Sequence, residues 1–427
     1  DGSDGPWSTF AFRVGTPPQT VKLLIATSGQ ETWVVNSGAC ASAGSEEETA
    51  LCDRDRGFTF NVTNSESWSD NGDYVLEEES NLGYGGIGNY GFDVVTVGWE
   101  GSGGPKLDDQ IVAAIMAEEW TASGMFGVSP RPTNFTDFRN PRPSFLSSLR
   151  ERNLVPSLSY GYTAGSRARA GAGVLGSLTL GGYDASRRTI NDVTFQLSSV
   201  TYRDVVVGLR SVRAPGALSA LSSSIYAFLD AGTPHIWLPE DACEIIASAY
   251  GLTYDEESDL YLWNETARDA MDVTSASGNL EFELAPDVQS GPSVTITVPF
   301  TSLDMVATSA YPGLGTANTS RYFPMRRAAN ATQFTLGRAF FQDSFLIVDY
   351  ERGNFSVAQA RFDSQASPDL VTIKALGSDG PDTAQVDADD SRSSSSSLST
   401  PAKAGVIAGG VLLLLVLLIL ALGAYRR

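Results

Sequence analysis

The stretch KLLIATSGQETWVV, Lys22 to Val35, decides how this chain is read. Two apolar runs flank a Thr-Ser-Gly, the pattern of a buried strand that enters a tight turn and leaves it as a second strand. The design returns at Ile225 to Leu238 as IYAFLDAGTPHIWL. At one place the two copies differ in chemistry: the second carries Asp230 where the first carries Ala26. Each copy is followed, about 100 residues on, by a short strand of two hydrophobic residues and a glycine. These are GMFGVSP (Gly124 to Pro130) for the first copy and FTLGRAFF (Phe334 to Phe341) for the second. A repeat of this period predicts two related lobes that meet face to face and set the two turns side by side.

From Trp7 to Phe362 the remaining sequence consists of short runs rich in Val, Thr, Phe and Tyr, punctuated by Gly, Asn, Asp and Pro. That composition predicts a mainly β architecture. Two helices are expected, over Pro143–Arg152 and Pro239–Tyr250. In the second, Pro239 at the first turn with Glu240 and Asp241 behind it suits a helix N-terminus. An apolar content of 42% over 427 residues is ample for more than one core. A net charge of −21 leaves nothing to neutralise phosphates and excludes a nucleic-acid partner. With one histidine and three cysteines there is almost no material for a metal site or a Ser-His triad, and no cofactor is expected. His235 is read as a structural histidine. Cys40 and Cys52 are close enough in sequence to close a short loop in an oxidising compartment, and Cys243 is left as a small buried hydrophobe.

The C-terminal part changes character. Residues 363–403 turn to Ser, Asp, Gly and Pro and are expected to form a flexible stalk that holds the folded part away from a bilayer. Residues 404–424, AGVIAGGVLLLLVLLILALGA, are uncharged and long enough to cross a hydrocarbon core of roughly 30 Å. Arg426 and Arg427 in the tail 425–427 favour a cytoplasmic C-terminus, hence a single-pass protein with its bulk outside. A lipid-anchor signal is the rival reading of the same segment. Six sequons, at Asn61, Asn134, Asn264, Asn318, Asn330 and Asn354, indicate a glycoprotein of the secretory route. The chain opens at Asp1 without a signal-like apolar run and is read as already processed.

Several segments, taken in order, carry a family resemblance: Val14-Gly15-Thr16-Pro17-Pro18-Gln19, Trp33, Tyr90-Gly91-Phe92-Asp93-Val94-Val95, Gly176-Ser177-Leu178-Thr179-Leu180-Gly181-Gly182, Phe228-Leu229-Asp230-Ala231-Gly232-Thr233, and Leu336-Gly337-Arg338-Ala339-Phe340. From about Phe10 to Ala360 the chain resembles the pepsin-like aspartic peptidases, and its stalk and membrane segment are similar to those of fungal membrane-anchored members. The resemblance implies a bilobal fold, with lobes at 1–196 and 197–362, and a cleft that takes an extended peptide beneath a hairpin flap. It also implies catalysis by two carboxylates that share one proton. The family's first D-T-G motif falls here on Ala26-Thr27-Ser28 and its second on Asp230-Ala231-Gly232. Asp230 is then the remaining carboxylate and Ala26 marks the missing one. Ser28 stands at a glycine position, and with Ala231 in place of threonine, Thr27 is expected to lose its partner across the lobes. Substrate-binding roles fall on Tyr84 in the flap candidate Leu82–Gly91, and on Trp33, Gly232 and Thr233. Three functions follow as expectations: an impaired homologue that binds or senses a peptide or protein segment, an acid endopeptidase working with Asp230, or a cell-surface scaffold.

Overall fold

The computed structural model describes residues 2–377, except 42–43, 77–79, 117–122, 169–172, 272–277, 309–310, 312, 315–318 and 364–365. In chain order the first lobe contributes β1 (Phe10–Val14), β2 (Gln19–Ala26), β3 (Thr32–Val35), β4 (Ser69–Val75), β5 (Ile87–Val97), β6 (Lys106–Ile115) and β7 (Gly124–Gly127). They form one sheet in the order β1-β2-β7-β3-β6-β5-β4. Next come β8 (Ser159–Ser166), β9 (Val174–Leu180), β10 (Gly182–Asp184) and β11 (Phe195–Gln196). The second lobe is built on β12 (Val206–Arg213), β13 (Ile225–Leu229), β14 (Ile236–Pro239), β15 (Leu252–Asp255), β16 (Leu260–Trp263), β17 (Leu280–Ala285), β18 (Val294–Val298), β19 (Met305–Ala307), β20 (Ser320–Phe323), β21 (Met325–Ala328) and β22 (Thr335–Leu336). Its main sheet runs β18-β17-β12-β13-β22-β14-β21, beside a smaller one, β15-β16-β20-β19. Finally β23 (Ser344–Asp349) and β24 (Asn354–Gln359) join β11, β8 and β9 in a sheet to which both halves of the chain contribute.

The repeat seen in the sequence is a repeat of pairing. Strand β2 lies parallel to β7, with Ala26 opposite Gly127, and β3 returns antiparallel on the other side of β7. Strand β13 lies parallel to β22, with Leu229 opposite Leu336, and β14 returns antiparallel to β22. Because each of these strands is covered on both faces, the sequence shows continuous apolar runs rather than alternation; Leu23 to Ala26 and Ala227 to Leu229 are all buried. One continuous apolar core fills both lobes.

The expected helices are present as α2 (Phe145–Glu151) and α3 (Glu240–Tyr250), and α1 (Glu46–Asp55) precedes them. Cys52 on α1 is disulfide-bonded to Cys40, with Cα atoms 5.8 Å apart, and Cys243 is free and buried. Leu370–Thr372, expected to belong to the stalk, instead forms a strand, β25, antiparallel to β10. The apolar segment 404–424, the tail 425–427, most of the segment expected to form a stalk and Asn318 lie outside the described residues. Among the described residues no helix is long and apolar enough to cross a membrane.

Candidate functional site at the lobe junction

Ala26 ends β2, and the chain turns through Thr27-Ser28-Gly29 because the next strand must double back across β7. Three backbone bonds fix the turn: Gly127 N–H donates to the Glu31 carbonyl at 2.8 Å, Ser129 N–H to that of Gly29 at 2.8 Å and Val128 N–H to that of Ala26 at 3.1 Å. The glycine that closes each two-hydrophobes-plus-Gly segment has a steric reason. A Cβ on Gly127 would stand 2.4 Å from the backbone of Gly29, and one on Gly337 would stand 2.2 Å from the His235 carbonyl oxygen. Only glycine lets these segments press onto the turns that carry residues 26 and 230.

The two turns meet. The point where a Cβ on Gly232 would stand is 3.1 and 3.2 Å from the Asp230 carboxylate oxygens and 3.4 Å from the Ala26 methyl carbon. Asp230 is 1% exposed; its Oδ1 accepts the Gly232 N–H at 2.9 Å, and the Thr233 hydroxyl donates to the Asp230 backbone carbonyl at 3.1 Å. Gly232 and Thr233 therefore hold the acid in place. Across from it Ala26 offers only a methyl group.

Thr27 corrects the expectation drawn from Ala231. Its hydroxyl oxygen accepts the Ala231 N–H at 2.9 Å, and its proton is shared between Asp230 Oδ1 at 3.3 Å and the Leu229 carbonyl at 3.4 Å. The grip across the lobes uses the backbone of the opposing turn, which alanine supplies as well as threonine does. Only a reciprocal hydroxyl is lost. Ser28 contributes its carbonyl, which accepts from Arg131 Nη2, while its buried hydroxyl has no partner among the described residues.

Trp33 is buried in β3, and its indole N–H donates to Glu31 Oε2 at 3.0 Å. The same carboxylate accepts the hydroxyls of Tyr90 at 2.7 Å and Thr133 at 2.9 Å. Glu31 thereby ties β3, β5 and the chain after β7 into one wall beside the turn. Tyr84 lies in the connection between β4 and β5, the flap position, but does not stand free. Its ring packs edge-on against Trp237 at 6.3 Å, its hydroxyl lies 3.4 Å from His235 Nδ1, and burial pushes its pKa up. Two further bonds reach the second lobe: Asn81 Nδ2 donates to the Thr332 carbonyl at 2.7 Å, and Gln333 Nε2 donates to the Asn81 carbonyl at 2.5 Å. His235 is held neutral, its pKa pushed well below the usual value by burial and then by the Arg326 and Arg338 charges. Asn134, Asn264 and Asn330 are exposed, whereas Asn61 and Asn354 are partly covered.

Sequence reasoning missed Asp204, just before β12. It is 8% exposed; burial pushes its carboxyl up to about 6, and the Arg131 guanidinium partly offsets this. Asp204 and Asp230 both act electrostatically on the Tyr160 hydroxyl. No motif surrounds Asp204, so only the fold shows that it faces this region.

Residues 10–360 match the profile of the eukaryotic aspartyl proteases. The chain is 24% identical over 287 residues to secreted aspartic protease 7 of Candida albicans, which covers 59% of this chain and 46% of that protein. It thus spans about half the length of this relative. Its fold matches the crystal structure of the aspartic proteinase from Irpex lacteus with a TM-score of 0.57 at 16% identity, covering 86% of this chain and 99% of that one.

Proposed function

Because the chain belongs to the eukaryotic aspartyl protease family, and because a methyl group faces Asp230 where a second carboxylate is needed, we propose that it is a peptidase homologue that binds an extended peptide or protein segment without efficient cleavage. The chemistry requires one carboxylate to take a proton from water while its neighbour, roughly 3 Å away, hydrogen-bonds the scissile carbonyl as an acid. Ala26 has no group that titrates. The hydroxyls of Thr27 and Ser28 are far too weakly acidic to replace a carboxylic acid. Where catalytic groups act as a unit, loss of one costs on the order of 10⁴ to 10⁶ in rate.

The observation that carries this reading is the placement of Ala26 and Asp230 around Gly232. The rest of the framework supports this reading, since the Thr27 grip and the Glu31 wall are in place. The sequons and the C-terminal apolar segment support a secretory-route protein anchored at a membrane with its folded part outside, and the name of the Candida relative agrees with an extracellular setting. That relative's name also favours a second reading, a weak acid endopeptidase in which Asp230 works alone. Incubating the immobilised protein with peptides from a digested, denatured protein tests the binding role. Mass spectrometry of the eluate is expected to show retention of a sequence-related subset with uncut backbones. Retention of nothing overturns the binding role, and fragments newly cut in a manner lost in Asp230→Ala overturn the loss of catalysis.

A further inference from the structure

The hairpin between β4 and β5 is held by more than its own lobe. Leu82 and Tyr84, 5% and 7% exposed, share a small apolar cluster with Trp237 of β14, and Ala328 of β21 packs against it. Tyr84 meets the Trp237 ring edge-on. Asn81 adds two bonds to the chain after β21: its Nδ2 donates to the Thr332 carbonyl, and its own carbonyl accepts from Gln333 Nε2. Gln333 is fixed in turn, since its Oε1 accepts the Ala329 N–H at 2.6 Å. Residues 80–86 thus cross from the first lobe to the second. A strand added beneath the hairpin would need the space that Leu82 and Tyr84 fill.

The contact is weaker than the lobes it joins. Leu82, Tyr84 and Trp237 form a cluster of their own, separate from the continuous core. Segments held by few buried apolar contacts open at low free energy while the core stays folded. The Trp237 indole N–H is buried without a partner among the described residues, which offsets part of what the contact gains. A Cβ on Gly83 or Gly85, on either side of Tyr84, would meet nothing within 4 Å. Neither glycine is wedged against a neighbour, so the tip can lift without displacing the lobes.

We propose that residues 80–86 are an autoinhibitory strap: they close against the second lobe, and a peptide that enters the groove must displace Leu82 and Tyr84 from Trp237. The inference rests on the groove taking a peptide and adds how entry to it is regulated. Any peptide then binds with its intrinsic affinity reduced by the fraction of molecules whose strap is open. Removing the side-chain bonds of Asn81 and Gln333 raises that fraction about tenfold.

Chymotrypsin tests the closure, because it reaches the bonds after Leu82 and Tyr84 only while the strap is open, and both residues are kept in the double variant Asn81→Ala with Gln333→Ala. In the full-length protein the double variant is expected to be cut after Leu82 or Tyr84 about tenfold faster than the wild type, with cleavage elsewhere unchanged. A peptide recovered from a digest on either immobilised protein, then resynthesised, is expected to bind the variant about tenfold more tightly by calorimetry. Equal cutting rates would overturn the strap, as would wild-type cutting there as fast as in the unfolded chain. Faster cutting with unchanged affinity would overturn its control of entry. If neither protein retains any peptide, the peptide-binding role fails, and the strap is judged by the cutting rates alone. Should the double variant be cut throughout its length, Asn81→Ala alone is measured in its place.

Discussion

At the scale of single residues, position 26 is the clearest case of chemistry read directly from a letter. Ala26 and Asp230 could be matched in the sequence because the strands around them repeat, and the structure sets them around one glycine. Thr27 was misread for a physical reason: motif matching compares side chains, whereas this hydroxyl grips backbone. Thr27→Ala is therefore expected to strand the buried Ala231 N–H and cost about 1–3 kcal/mol, measured by denaturant unfolding. No change in stability would show that the grip is not needed. Asp204 was illegible because its burial and neighbours come from segments far apart in the chain. For Asp204 the sign of the pH effect follows from its raised value of about 6 against 3.8. Between these values the folded state holds a proton that the unfolded chain has lost, so this stabilising contribution is complete below about pH 4 and falls away as pH rises to about 6. The total is about 3 kcal/mol. Asp204→Asn is expected to flatten that slope in melts taken across the range; an unchanged slope would show that another group titrates there.

At the scale of elements, legibility followed the strength of the local signal. Helices α2 and α3 carry an apolar face over start signals, Ser144 capping the first and Pro239 with two acids opening the second. Helix α1 has no buried residue, so no periodicity announced it. It is held by its N-cap Ser45, whose Oγ accepts the Glu48 N–H at 3.2 Å and donates to Glu48 Oε2 at 3.2 Å, and by the Cys40–Cys52 bond. Strand β25 was missed because three residues with mostly exposed side chains give no pattern. The strongest element-level feature is the glycine of each repeat. Gly127→Ala should force β7 off the turn and cost about 1–3 kcal/mol or more, seen as a lower denaturation midpoint. An unchanged midpoint would mean that the contact with Gly29 is loose.

At the scale of the whole molecule, two lobes share a sheet and a core, and Asp230 at their junction sits among groups that position it. The apolar segment 404–424 is long enough to cross a bilayer, and we propose that it anchors the folded part to one. Membranes washed in alkaline carbonate should retain the protein, and phosphatidylinositol-specific phospholipase should not release it; release would point to a lipid anchor. The central claim is that efficient peptide hydrolysis is lost because no second carboxylate stands opposite Asp230. Its most direct test is the turnover of a denatured protein at about pH 3 to 6 by wild type, Asp230→Ala and a restored form carrying Ala26→Asp, Ser28→Gly and Ala231→Thr. The account predicts no difference between wild type and Asp230→Ala, with cleavage appearing only in the restored form. Asp230-dependent cleavage by the wild type would contradict it.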